Sequence, residues 1–482
     1  MVFKPENYIK PDKRIQAMID SSEDPAVITE TQIADRGITL VKNKYEMETS
    51  TFIDYANSRT CSKENQQGVW FYNYVDKHYD LLNESEYKKI FFYLVCEPSK
   101  KIWRTAMQNQ YIPYFKNQLP NIQMTGKEDG LLQFRNGVFD FRNLPPMFVK
   151  ASPKYFCHFR LPYAFDKQAK CPQFMAFLND IFDGDQERIK LIQEIMGATL
   201  YYDKCMQYLV VFLGNGSNGK SILANMIKNM LGPDNVCSIA LDQLSGSRFA
   251  KQNLDMKLLN ISSEVNCEKL YSTSDLKTLT GGDSVEIEQK CKQSYTTEIY
   301  AKFILLANDM IQTADYSDGF YRRLIIIPFD QKYEKLAAGQ EREPGKKYQD
   351  IDLEDKLKQE LPGIFNFAWE GLMRLVDQDY HFTEPQACIA ALERYKNEHN
   401  VVKAFLNEMF EVTGNPKDKI RSSDLFPTFE DFCRENHYYR QSRQITRNKF
   451  LSMFKQAIEE NSLNVSWKKH KDHFYYLGLK FK

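Results

Sequence analysis

The sequence predicts an α/β protein organised around a parallel sheet, with a mostly α-helical N-terminal region and a small C-terminal unit of helices and a hairpin. Three observations support this class. Residues 208–213 form an apolar run that leads into a glycine-rich loop, after which 222–227 continue at helical spacing. Between Val236 and Phe329, short apolar segments alternate with helical ones, as in a parallel sheet. Residues 396–482 combine amphipathic helices with two strand-like segments.

The composition is ordinary for a globular protein, with 43% hydrophobic and 27% charged residues among 482. Such a length predicts about two to four domains. The formal net charge is zero, so any nucleic-acid surface would have to be local. We find no membrane-length apolar run and no signal-peptide pattern, and we expect a cytoplasmic protein without a membrane partner. The ten cysteines are scattered without a C-x-x-C pair, which favours reduced thiols over zinc ligands or disulfides.

The pattern along the chain divides it into four predicted parts. Residues 1–130 are α-rich and carry no chemical motif, and we interpret them as a collar or assembly region. Residues 131–185 begin with a hairpin around Asn136-Gly137 and become helical before the central domain. That domain is predicted over 186–395, and a separate unit over 396–482.

The strongest motif is a G-x-x-x-x-G-K-S loop between the apolar strand and the helix. Its glycines allow backbone N–H groups to approach phosphates, Lys220 supplies a cation for the β- and γ-phosphates, and the Ser221 hydroxyl can ligate Mg²⁺. The alternative is a chance glycine-rich loop, but the strand before it and the helix after it favour a site for ATP and Mg²⁺. The predicted nucleotide-binding residues are Gly214, Asn215, Gly216, Ser217, Asn218, Gly219, Lys220 and Ser221.

Two polar side chains follow later strands of the predicted sheet. Glu264 ends the apolar segment 258–263, where a carboxylate can polarise the attacking water and contribute to the metal shell. Asn308 follows the apolar segment 301–307 and can hydrogen-bond the γ-phosphate or that water. The alternatives are an ordinary solvated glutamate and a turn-forming asparagine.

Arg322 and Arg323 stand directly before a buried strand-like segment, 324–329. A guanidinium is suited to a phosphoryl transition state and can be supplied in trans by a neighbouring subunit. The alternative is a surface pair whose stems pack at the start of a strand.

A hairpin is predicted after Gly281-Gly282, because polar and apolar residues alternate there. Lys290 and Lys292 would share one face of it, where they could grip the backbone of a single strand inside a ring. A solvated surface hairpin is the alternative.

The C-terminal unit has the pattern of a winged helix: a helix over Val401–Glu411, a second capped by Ser423, a third capped by Thr446, and a hairpin with a basic tip. From His437 onward ten basic residues stand against three acidic ones. This local excess favours DNA binding over a winged fold that packs only against protein. The predicted DNA contacts are Arg447, Asn448, Lys449 and Ser452 on the third helix and Lys468, Lys469 and Lys471 on the wing.

Together these motifs resemble the superfamily 3 helicases, in particular the poxvirus and phage/plasmid primase-helicase branch, whose ATPase is an AAA+-type P-loop module. The resemblance runs from Leu131 to the C-terminus. Its motifs are Asn136–Asp140, Leu161–Tyr163, Gly214–Ser221, Gly281–Asp283, Arg322-Arg323, Leu361–Gly363 and Trp369–Leu372.

The resemblance implies a homo-hexameric ring that hydrolyses ATP and moves 3′-to-5′ along single-stranded DNA. It assigns Lys220 and Ser221 to phosphate and Mg²⁺, Glu264 to the catalytic acid and Asn308 to the sensor. Arg323 matches the trans arginine better than its neighbour does. A narrower similarity to the replication initiators of plasmids and of staphylococcal phage-inducible pathogenicity islands implies binding of origin duplex, host replication proteins as partners, and the cytoplasm of a host cell as location.

Three other functions remain open at this point. The chain could be an AAA+ ATPase that remodels a protein partner, or an origin-binding protein that uses ATP as an assembly switch without unwinding. A primase-helicase is the third, but residues 1–130 contain no paired-acid polymerase motif and no zinc cluster. We therefore expect no primase activity.

Overall fold

The computed structural model describes residues 3–482 except 123–129, 143, 203–205, 247–249, 264–273, 289–293, 311–316, 336–342, 400, 437–444, 461–462 and 471–472. The chain forms two compact units, Met1–Gln168 and Ala169–Lys482. The four-part division expected from the sequence stays a prediction.

The first unit combines helices with three small sheets. Its helices are α1 (Lys13–Asp20), α2 (Pro25–Asp35), α3 (Thr49–Arg59), α4 (Glu84–Cys96) and α5 (Thr105–Gln118). Its strands are β1 (Ile38–Val41), β2 (Lys44–Met47), β3 (Ser62–Asn65), β4 (Gly68–Asn73), β5 (His78–Leu82), β6 (Leu131–Phe134), β7 (Gly137–Asp140), β8 (Met147–Val149) and β9 (Phe159–Arg160).

The hairpin expected around Asn136-Gly137 is confirmed, since β6 and β7 pair antiparallel. The sheets β1-β2 and β3-β4-β5 were not expected, because the sequence predicts a mostly helical region here. The core of the unit is aromatic and includes the buried rings of Phe71, Phe91 and Phe115, which pack within 6.4 Å of one another, centroid to centroid.

A buried ionic cluster also stabilises the first unit. The side chain of Arg36 is fully buried, and its Nε donates to the Leu94 carbonyl at 2.7 Å. Its guanidinium forms an ion pair with Glu97, which also binds Arg59 at 3.1 Å. Burial lowers the pKa of Arg36, and the carboxylate of Glu97 opposes this effect by compensating part of the cost of burying the charge.

The second unit contains the remaining elements. Its helices are α6 (Pro172–Ile181), α7 (Gln186–Leu200), α8 (Lys220–Leu231), α9 (Leu241–Gly246), α10 (Ser274–Gly281), α11 (Asp318–Tyr321), α12 (Leu353–Lys358), α13 (Leu361–Asp377), α14 (Gln386–His399), α15 (Val401–Met409), α16 (Ser422–Glu435) and α17 (Arg447–Glu460). Its strands are β10 (Leu209–Leu213), β11 (Val236–Cys237), β12 (Leu259–Ser263), β13 (Ser284–Ile287), β14 (Tyr295–Glu298), β15 (Lys302–Ala307), β16 (Leu324–Pro328), β17 (Tyr333–Glu334), β18 (Lys347–Tyr348), β19 (Phe410–Val412), β20 (Lys419–Arg421), β21 (Ser466–His470), β22 (His473–Leu477) and β23 (Leu479–Phe481).

The centre of this unit is a five-stranded parallel sheet in the order β11-β12-β15-β10-β16, which confirms the predicted α/β class. β10 is apolar along its length because its side chains point to both faces of the sheet in turn and its first four residues are buried. Leu213 at its end pairs with Ala307 of β15 and with Pro328 of β16. The carboxyl ends of the three strands therefore lie at one edge of the sheet.

Helices α7 and α13 pack closely through glycines. A Cβ at Gly371 would overlap the Gln193 backbone, and one at Gly197 would overlap Leu372. Gly363 likewise approaches the backbone of Lys170 too closely for a side chain. The glycines of the Leu361–Gly363 and Trp369–Leu372 motifs thus have a packing role in this fold.

The C-terminal unit contains the three predicted helices as α15, α16 and α17, and the predicted hairpin as β21 and β22, which join β20 in one antiparallel sheet. Two details of the sequence-based prediction are wrong, namely the end of the first helix and the cap of the second. The first helix ends at Met409 rather than 411, because Phe410 begins a strand that pairs with β23. Ser423 lies within the first turn of α16 and donates to Asp424 at 2.8 Å, so it is not the cap. The cap at Thr446 is confirmed by its Oγ1, which accepts from the Lys449 N–H at 3.4 Å.

Candidate functional site

The glycine-rich loop connects β10 to α8 at the carboxyl edge of the parallel sheet. Gly219 caps the helix in the left-handed region (φ 93°), and a Cβ there would lie 2.7 Å from Ile181 Cγ2. A Cβ at Gly214 would lie 2.5 Å from the Phe329 carbonyl oxygen. Gly216 differs from both, because a Cβ there meets no protein atom within 4 Å. Its side of the loop is open to an approaching phosphate, so the loop fits the group that the sequence implies.

Two buried side chains, those of Asn218 and Lys220, hold the loop through hydrogen bonds to its backbone. Asn218 is 2% exposed, and its Nδ2 donates to the carbonyls of Asn215 at 2.9 Å and Phe329 at 3.3 Å. The Nζ of Lys220 donates to Asn218 Oδ1 at 3.2 Å and to the Gly214 carbonyl. Burial lowers the pKa of the Lys220 amine. Both of these acceptors are neutral, so an anionic ligand would improve the environment of the ammonium.

Polar residues follow the strands next to the loop. The Gly214 N–H donates to the Ala307 carbonyl at 3.1 Å, which brings the exposed Asn308 beside the loop. Ser263, at the end of β12, pairs in register with Leu306, so the chain leaves β12 at the same edge. Glu264 itself lies outside the described residues.

The remaining loop residues are on the surface. Asn215, Gly216 and Ser217 are exposed, and Ser221 is exposed in the first turn of α8. Ser217 has φ 63°, and its carbonyl accepts from the Tyr333 N–H at 2.8 Å. Ser221 therefore has the accessibility that a metal ligand requires, at the N-terminus of the helix.

Arg322 and Arg323 lie at the opposite edge of the sheet. The Leu209 N–H donates to the Arg323 carbonyl at 2.7 Å, so this residue is level with the start of β10, whereas the loop follows its end. Five residues of strand separate the two positions, which corresponds to about 16 Å. The structure therefore does not bring the arginines together with the loop of the same chain.

The Arg323 side chain is held by residues that the sequence reading missed. Its Nη2 donates to Gln207 Oε1 at 2.8 Å and its Nη1 to the Gly319 carbonyl. Gln207 in turn donates to the Gly281 carbonyl at 3.3 Å. Partial burial and the neighbouring charge of Arg322 lower the pKa of Arg323. The only signal in the sequence is a polar residue just before an apolar strand, which is too common to be informative.

The predicted hairpin after Gly281-Gly282 is confirmed as β13 and β14, which pair antiparallel from Ser284 opposite Glu298. Its tip, with Lys290 and Lys292, lies outside the described residues. Their predicted role stays a prediction.

The third C-terminal helix and the hairpin carry a basic surface. Arg447, Asn448, Lys449 and Ser452 are exposed on α17, and Lys468 and Lys469 are exposed on β21, whereas Lys471 lies outside the described residues.

Two aromatic side chains of the hairpin were not anticipated. Trp467 is 44% exposed and lies 4.5 Å from Lys455 Nζ, measured to the ring centroid. Phe474 is 54% exposed and lies 5.7 Å from Lys469 Nζ. Aromatic rings between lysines are the signal that could have marked this surface.

No helix in the described ranges has the length and apolar character to cross a membrane. Among the same residues, no group of three or more His, Cys, Asp or Glu side chains is arranged to hold a metal ion.

Two protein-family models match parts of the chain. The family described as D5 N terminal like matches residues 99–183, and a family of unknown function (DUF5906) matches residues 212–323, which include the glycine-rich loop and both arginines.

Curated relatives are distant. The chain is 22% identical to "Putative helicase 121R" of Invertebrate iridescent virus 3 over 67% of its length, and 22% identical to "Putative helicase L207/L206" of Acanthamoeba polyphaga mimivirus over 73%. The alignments cover only 37% and 39% of those relatives, so the chain spans about two fifths of their length.

A solved structure titled "The A form apo structure of NrS-1 C terminal region-CTR" aligns with 86% of this chain and 95% of that one, at 13% identity and a TM-score of 0.46. The family and relative matches support a relationship to D5-like viral proteins that carry helicase names.

Proposed function

We propose that this chain is an ATP-hydrolysing DNA helicase that initiates replication, with an AAA+-type P-loop core and a C-terminal winged helix. The observation that carries the proposal is the phosphate loop at the carboxyl edge of the parallel sheet. There the buried Lys220 donates only to neutral acceptors among its described contacts, and Asn308 follows the adjacent strand. The helicase names of the relatives agree with this chemistry.

The triphosphate of ATP would lie along the loop and the N-terminus of α8. Lys220 exchanges its bonds to the Gly214 carbonyl and Asn218 for oxygens of the β- and γ-phosphates. Ser221 would ligate Mg²⁺, which when bound neutralises charge on those phosphates. Glu264 polarises the attacking water, and Asn308 hydrogen-bonds that water or the γ-phosphate.

The arginines act on a neighbouring copy of the chain. At about 16 Å along β10, neither guanidinium is positioned at its own loop, yet hydrolysis on this type of loop is accelerated by an arginine at the transition state. A closed ring has head-to-tail interfaces in which two different surfaces of the subunit meet, so the amino edge of one sheet could face the carboxyl edge of the next. We assign this role to Arg323, with Arg322 as second choice, in a homo-hexamer.

DNA is bound at two places in this proposal. α17 enters the major groove of origin duplex, while the wing lysines contact phosphates. In the ring, Lys290 and Lys292 grip a single strand, and hydrolysis moves them along it in the 3′-to-5′ direction. The protein acts in the cytoplasm of a host cell, together with host replication proteins.

The test is unwinding of a forked duplex, measured with wild type, Lys220→Ala and Lys228→Ala. Lys228 lies in the last turn of the same helix and is the matched control. Wild type and Lys228→Ala should unwind the fork and hydrolyse ATP faster when single-stranded DNA is added, and Lys220→Ala should do neither. Hydrolysis without stimulation by DNA would favour a remodeller of proteins. ATP-dependent duplex binding without unwinding, unchanged in Glu264→Gln, would favour an assembly switch.

A further inference from the structure

The order of the strands determines on which side of the loop each end of the bound nucleotide would lie. β10 lies between β15 and β16, and Asn308 follows β15. The γ-phosphate must face the groups that act on it, so it points to the β15 side of the loop. The nucleoside at the other end of the phosphate chain therefore lies toward β16 and the segment that follows it. This step rests on the proposed nucleotide site.

An aromatic ring is held beside the loop on that side. The Tyr333 backbone N–H bonds the Ser217 carbonyl at 2.8 Å, and its hydroxyl donates to Asp180 Oδ2 at 2.5 Å. Lys347 fixes the same carboxylate, because its Nζ lies 2.8 Å from Asp180 Oδ1 and donates to the Asp180 carbonyl at 2.9 Å. Lys347 Nζ also lies 5.8 Å from the centroid of the tyrosine ring.

These contacts give the ring a defined position in the segment that follows β16. β17 and β18 form a short parallel ladder in which Tyr333 is opposite Lys347. Tyr333 is only half-buried, so its ring is not a core side chain. The packing of Ile181 against Gly219 brings the end of α6, and with it Asp180, to the loop.

We propose that Tyr333 stacks on the nucleobase of the bound nucleotide, with Asp180 and Lys347 as positioning residues. An aromatic face is the usual partner of a base, since every base has a π-face and stacking needs no hydrogen-bond match. The site would thus recognise a nucleoside triphosphate through its base as well as its phosphates.

The test separates the base from the phosphates. Equilibrium binding of ATP and of inorganic tripolyphosphate, each with Mg²⁺, is measured by calorimetry for the full chain, Tyr333→Ala, Tyr333→Phe and Tyr348→Ala. Tyr348 is the matched control, because it is the next residue of the ladder from Lys347 and so projects to the other face. Alanine at 333 keeps the backbone bond to Ser217, so it removes the ring without releasing the loop. Thermal unfolding checks that each variant is folded.

We expect Tyr333→Ala to weaken the binding of ATP by about 10-fold and that of tripolyphosphate by less than about twofold. Tyr333→Phe keeps the ring but loses its bond to Asp180, so it should weaken ATP binding less than Tyr333→Ala does and leave tripolyphosphate binding unchanged. Equal losses of affinity for the two ligands would overturn the inference, because the tyrosine would then only support the loop. No loss for either ligand would also overturn it, because the tyrosine would then contribute nothing to binding. If the wild-type chain binds neither ligand, the proposed nucleotide site fails as well. That result differs from a failure of the base contact alone.

Discussion

Mixing two inactive variants tests whether the arginine acts between subunits. Arg323 lies at the amino edge of the sheet, about 16 Å along β10 from the loop that contains Lys220. Lys220→Ala destroys the phosphate site of a subunit but leaves its arginine, and Arg323→Ala does the reverse. Alone, each should hydrolyse ATP on the order of 10³-fold more slowly than wild type, the scale expected for loss of a trans arginine.

A seam between one variant of each kind regains a complete site when the intact loop faces the intact arginine. With equal amounts and random assembly, about one quarter of the seams in a closed ring have that arrangement. Steady-state ATP hydrolysis of the mixture should therefore recover to about one quarter of the wild-type rate per subunit. A double variant with both substitutions in one chain, assayed alone at the same total concentration, should show no recovery of ATP hydrolysis.

Two controls make the result decisive. Energy transfer between differently labelled variants must show that subunits exchange. In a mixture of Lys228→Ala and Arg323→Ala every loop is intact, so the rate of ATP hydrolysis must follow the share of subunits that carry an intact arginine. If subunits exchange and the first mixture stays inactive, the arginine does not complete a neighbour's site. The arrangement of the ring proposed here would then be wrong.

The other predictions concern stability and DNA binding. Glu97→Ala leaves the buried Arg36 without its carboxylate and should lower the free energy of unfolding by about 3 kcal/mol, measured by urea denaturation. Gly371→Ala forces a methyl group into the Gln193 backbone and should lower the free energy of unfolding by about 2–3 kcal/mol in the same assay. An unchanged free energy of unfolding would show that α7 and α13 can move apart at little cost. Lys468→Ala should weaken duplex binding for all sequences alike and reduce the salt slope of log K by about 1, as measured by fluorescence anisotropy; an unchanged slope would exclude a phosphate contact there.

The parts of the fold that could be predicted are those with local causes. The strand, loop and helix around Lys220 follow from an apolar run, glycine spacing and helical periodicity within a short stretch. The Thr446 cap and the Asn136-Gly137 hairpin likewise depend on residues close in sequence. In each case the residues that determine the local structure are close in sequence and contact one another.

The parts that could not be predicted depend on distant partners. β3 is polar and shows no alternation, and it is a strand because it pairs with β4. The end of α15 is decided by β23, which lies near the end of the chain. Gln207 and Arg323 are 116 residues apart, so neither residue predicts the other. The exposed rings of the β21–β22 hairpin were not predicted, because a count of charges does not include the aromatic residues between the lysines.

The contact between Gln207 and Arg323 joins two elements to which the proposal gives different roles, the arginine before β16 and the β13–β14 hairpin. Gln207 also bonds Gly281, which ends α10 just before the β13–β14 hairpin. If Arg323 serves a neighbour's γ-phosphate as proposed, its Nη2 would have to give up the bond to Gln207, which is itself bonded to Gly281. Because the hairpin is the predicted carrier of Lys290 and Lys292, the proposed function predicts that Gln207 couples the arginine to the contact with DNA.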